Sequence, residues 1–99
     1  MDAKYREFGM RLRKLVGKGL VNKWDNFEKL ENLLHEIAES SDEELARMAR
    51  NFLDNIPMTF YPNMDDGDSV FFESHPDLRK VEEMVKAFNE AFHRHFNIY

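Results

Sequence analysis

Four acidic side chains fall within nine residues at Asp65-Asp66-Gly67-Asp68 and Glu73, a density that invites a calcium reading. With Gly67 as position six of an EF-hand loop, Glu73 falls at position twelve, where a bidentate carboxylate belongs. Position one would then be Pro62 and position three Met64, and neither carries a side-chain oxygen for the ion. The segment therefore reads as an acidic turn. Glu90-Ala91-Phe92-His93 has the carboxylate-x-x-histidine spacing that puts two ligands on one helix face. A di-iron bundle needs two such motifs and two further inward glutamates, and this chain offers one motif. His93 and His95 lie about 200° apart on a helix and cannot chelate together. A histidine near a helix C-terminus, where its cationic form suits the dipole, explains them more simply.

Nucleophilic catalysis lacks its parts. No serine sits in a glycine-flanked elbow, Ser74 beside His75 reads as capping, and Gly17-Lys18-Gly19 is too short to cradle phosphate. Cysteine is absent, which removes disulfides, thiolate metal sites and a cysteine nucleophile. The expectation is a protein that is not an enzyme and uses no cofactor.

Charge is distributed unevenly. Met1 to Trp24 carries seven basic residues (Lys4, Arg6, Arg11, Arg13, Lys14, Lys18, Lys23) against Asp2 and Glu7, or +5. The remainder carries seven basic and seventeen acidic residues, or −10, and the two parts give the net −5. A basic leader on an acidic body suits electrostatic complementarity with another macromolecule. One reading pairs the leader with the following segment, where Asp25, Glu28, Glu31, Glu36 and Glu39 are balanced by Lys29 alone. The other sends it to a phosphate backbone or an anionic lipid surface. The acidic body makes nucleic acid the less favoured partner.

Ninety-nine residues suffice for one hydrophobic core, so residues 1–99 form a single helical domain. With 42% hydrophobic residues and nine Phe, that core can be built without staples. Apolar runs of two or three residues exclude a membrane span and a secretory leader, and a cytoplasmic location is expected. Tyr5, Phe8, Leu12, Leu15 and Val16 recur at helical spacing until Gly17 and Gly19. Phe27, Leu30, Leu33, Leu34, Ile37 and Ala38 mark a second helix behind an N-cap at Asp25 or Asn26. Ser41-Asp42-Glu43-Glu44 reads as a capping box opening a third helix, with Leu45, Met48, Ala49, Phe52, Leu53 and Ile56 buried and Pro57 at its end. Met58-Thr59-Phe60-Tyr61 and Ser69-Val70-Phe71-Phe72 are β-prone and flank turn residues, which fits a hairpin or an ordered loop. Ser74-His75-Pro76-Asp77 opens a last helix whose inner face runs from Leu78 to Phe96. The fold class is mainly α: four helices with a short irregular or hairpin insertion before the last.

Aromatic anchors beside an acidic rim suit an interface with a basic protein. Phe60, Tyr61, Asp65, Asp66 and Asp68 are the expected contact residues, with Glu43 and Glu44 added. The stretch from Ser41 to Phe88 resembles the immunity proteins of nuclease-type (colicin-type) bacteriocins. The shared pattern is a Ser-capped, acid-opened helix (Ser41 to Ile56), the Phe60-Tyr61-Pro62 element, an acidic loop and a closing helix. The resemblance implies a small acidic helical inhibitor that silences a basic toxin domain. In that family two tyrosines before the proline anchor the toxin, and acidic residues on a neighbouring helix tune partner choice. Tyr61 matches the second tyrosine, and Phe60 stands in place of the first without its hydroxyl.

Overall fold

The computed structural model describes residues 3–65 and 69–96, the segment 60–74 by its backbone alone. Helical periodicity becomes α1 (Ala3–Lys18), α2 (Trp24–Ala38), α3 (Glu43–Asp54) and α4 (Leu78–Phe96). The insertion before α4 is a hairpin of β1 (Met58–Asp65) and β2 (Ser69–Pro76), paired antiparallel from Met58↔Pro76 to Asp65↔Ser69. Each helix contributes one apolar stripe to a common core. Leu12, Leu20, Leu30, Leu33, Leu34, Ile37, Leu45, Ala49, Val81, Val85 and Phe92 are its fully buried members among the described residues.

The helices run alternately up and down. α2 packs on α1 and α3, and α1 packs on α4. Gly9 makes the last contact possible: a β-carbon there would meet Phe92 Cε1 and His93 Cε1 at 3.2 Å. The glycine therefore sacrifices about 1 kcal/mol of helix propensity for a close approach of two helices. Beside it, His93 is buried and its Nε2 accepts from Arg13 Nε–H at 3.1 Å. This neutral acceptor role differs from that of the dipole-facing histidine expected at the end of a helix.

Local chemistry departs from the sequence reading at three helix starts. Lys23 precedes α2 with no side-chain cap bond, and Asn26 instead donates its amide to Gly19 O at 3.1 Å. Asp42, not Ser41, caps α3, its Oδ1 accepting from Leu45 N–H at 2.9 Å. Asp77, one residue past Pro76, receives Lys80 N–H at 3.3 Å and starts α4. At α3 and α4 the capping aspartate also bonds a side chain of another element, Asp42 to His95 and Asp77 to Thr59.

The connector after α1 is pinned from a distance. Gly19 takes a left-handed φ of +77°, and Glu82 on α4 accepts from Leu20 N–H at 2.9 Å and Val21 N–H at 3.3 Å. The Leu20 amide, followed by the Val21 amide and Lys86, holds the Glu82 carboxyl below its ordinary value of 4.5. A lowered native pKa contributes stability above the unfolded value and loses it as pH falls through the native one. Glu82→Gln should thus cost about 1–3 kcal/mol at neutral pH. Urea unfolding at pH 7 and pH 3 checks both points, and the loss of stability between these pH values should shrink in the variant.

Candidate functional site

The hairpin stands away from the helices. Its strands make their substantial backbone approach only to each other. The molecule measures 58 × 25 × 17 Å, with a radius of gyration of 15.9 Å against about 13 Å for a compact chain of this length. A 19-residue α4 of about 28 Å continued by eight-residue strands of about 26 Å accounts for the long axis. The junction is short: Asp77 N–H donates to Pro57 O at 2.8 Å, carrying the ladder up to the helix ends. The Asp77 carboxyl is held below its ordinary value of 3.8, first by Lys80 N–H and also by the Thr59 side chain. Strand, turn and helix start are thereby joined at one point.

Strand register sorts the expected contact residues. Met58, Phe60, Pro62 and Met64 share one face with their partners Pro76, Ser74, Phe72 and Val70. Thr59, Tyr61, Asn63 and Asp65 share the other with His75, Glu73, Phe71 and Ser69. The first face is almost wholly apolar in sequence, and the second mixes acids, amide and aromatics. Phe60 and Tyr61 therefore hold register positions of opposite face, because successive strand residues alternate. Tyr61 instead shares its face with Glu73 and Asp65. Asp66 and Asp68 lie outside the described residues.

Glu43 and Glu44 are elsewhere. They open α3, about 18 Å of helix away from the arm. Glu43 is exposed in a cleft with Ser40, Arg47 and Arg50. Glu44 Oε2 lies 3.5 Å from His95 Nδ1, while His95 Nε2–H donates to Asp42 Oδ2 at 2.9 Å. Tyr5 Oη accepts from Asp42 N–H at 3.0 Å and bonds Ser41 Oγ at 3.0 Å, with its ring stacked on Phe96 at 4.9 Å. The Leu45 amide first, then His95, lowers the Asp42 carboxyl below 3.8. This cluster ties the start of α1, the start of α3 and the end of α4. The structure gives Glu44 a place in that clasp and does not bring it to the arm.

Trp24, Met58 and His75, at the base of the arm, are not among the contact residues expected from the sequence. Trp24 is 51% exposed and Met58 43% exposed, and the Trp24 ring stands 6.1 Å from His75 and 6.2 Å from Phe27. Trp24 sits three residues before the core residue Phe27, so its spacing alone looks like that of a buried position. Its status as the single Trp was the available signal, since an exposed Trp is a common binding anchor. A cleft of about 370 Å³ between Trp24, Asn22, Thr59, Asp77 and Arg79 opens beside it.

Among the described residues, no group of three His, Asp or Glu side chains is placed to hold a metal ion. Nor is any of their helices long and apolar enough to cross a membrane. No family model, curated protein or solved structure matches the chain.

Removing the α3 cap tests the clasp. Asp42→Ala should lower stability by about 1–2 kcal/mol, because the Leu45 amide and the His95 ring lose their acceptor together. Tyr5→Phe, which keeps the stacked ring and removes the hydroxyl, should cost about 1 kcal/mol. Denaturant midpoints at neutral pH decide both.

Proposed function

We propose that this chain is a bacterial, cytoplasmic binding protein that occludes a basic protein partner, in the manner of an immunity or antitoxin protein, and performs no turnover itself. The projecting hairpin is its docking arm. The observation that carries this reading is the arm's separation from the helical body: sixteen strand residues extend along the long axis with backbone pairing only to each other. A two-stranded hairpin alone in water is marginal, and a partner that covers its apolar face would stabilise it.

Sequence chemistry supplies the rest. Asp65, Asp66 and Asp68 at and between the strand ends in sequence, with Glu73 midway along β2, give the arm negative charge, which speeds encounter with a cationic surface. Tyr61, on the same face as Asp65 and Glu73, offers a rigid aromatic body and a hydroxyl. Trp24 and Met58 widen the apolar contact at the base. Glu43 and Glu44, at the other end of α3, fall outside this surface.

Co-expression with the product of the reading frame adjacent to its gene tests the proposal. The chain should protect cells from that product's toxicity and form a complex with it. Tyr61→Ala with Asp66→Lys should weaken the complex by about 2–4 kcal/mol with helicity unchanged by circular dichroism. Protection that survives the double substitution would remove the arm's polar face from the interface. Phe60→Ala reads the apolar face separately. A chain that neither protects nor binds contradicts the inhibitory role itself.

A further inference from the structure

On the side of the bundle formed by α1 and α2, cations converge that the arm does not use. Arg11, Lys14 and Lys18 follow one another along α1, and Lys29 and Asn32 of α2 face them across a groove of about 330 Å³ floored by Leu15. Arg11 Nη1 is held by Glu36 Oε2 at 2.6 Å, which anchors the guanidinium at one end. Lys14, Lys18 and Lys29 have no ion-pair partner among the described residues, and all three are exposed. The expected matching of a basic α1 with an acidic α2 is thus limited here to Arg11 and Glu36. Across the rest of the groove, basic residues face another base.

Three uncompensated ammonium groups around one cavity repel each other, in a chain whose net charge is −5. A bound polyanion would remove that repulsion. Lys23 Nζ–H donates to Lys18 O at 2.6 Å, so a further cation offsets the negative end of the α1 dipole where it would oppose an anion. From Arg11 to Lys18 the stripe runs about 10 Å along the helix, which suits linked phosphates better than one isolated ion. Asn32 adds an amide donor, and Leu15 gives the lysine stems an apolar strip to lie on.

We propose that the α1–α2 groove binds linked phosphate groups, carried by a polyphosphate chain, a nucleotide or a nucleic-acid backbone. Its residues are independent of the hairpin, so this site stands or falls apart from the docking arm. Calorimetric titration of the full chain at about 50 mM salt provides the test, with inorganic tripolyphosphate and a short single-stranded oligonucleotide as separate probes. At least one probe should bind, and Lys14→Glu with Lys18→Glu should weaken it about tenfold or more. Arg79→Glu with Lys80→Glu makes the same charge change at exposed positions on α4 and should change affinity less than about twofold. Tripolyphosphate binding alone identifies a small phosphorylated ligand. Preference for the oligonucleotide, with affinity falling steeply in salt, identifies a nucleic-acid backbone. Failure of both probes to bind overturns the proposal, and so does an equal loss in the two double variants. Circular dichroism on each variant excludes misfolding, since every substituted side chain is exposed.

Discussion

The antiparallel contact between α1 and α4 is the constraint on which the rest of this molecule depends. It is secured at three levels: Glu82 on the Leu20 and Val21 amides at one end, Gly9 against Phe92 and His93 in the middle, and Tyr5 with Phe96 at the other end. Helices far apart in the sequence are joined this way, so the chain closes into one core instead of two helical hairpins. A β-carbon at position 9 would crowd the Phe92 and His93 rings, which would have to give by a few tenths of an ångström.

Beyond that core, the hairpin strands make their substantial backbone approach only to each other. The strands enter from the end of α3 and leave into the start of α4 through a junction fixed by Asp77. With so few connecting residues, the arm continues the direction of the helices. Its alternate strand positions Met58, Phe60, Pro62 and Met64 are apolar in sequence, and apolar area left exposed favours association.

Charge follows a similar logic. Acidic residues carry the arm and much of the body, and the basic α1 keeps most of its charge facing solvent. Arg11 spends its charge on the neighbouring helix at Glu36, and Arg13 donates to His93 of α4. Acidic and basic residues thus concentrate on different elements of the chain, whereas an even mixture would have suited solubility alone.

The sequence by itself determined the four helices, their inner faces and the presence of a turn-separated β-prone pair. These are local properties: apolar residues at three- and four-residue steps, alternation, and glycine or proline punctuation act over a few residues. Only tertiary structure decided that Asp42 and Asp77 cap α3 and α4, where each also bonds a side chain of another element. Register likewise separated Phe60 from Tyr61, and helix length separated Glu43 and Glu44 from the arm. Neighbours in sequence became opposite faces, and residues distant in sequence, Lys14 and Lys29 among them, became the two walls of one groove. Periodicity fixes which way a residue points within its element; what it meets there depends on how the elements pack.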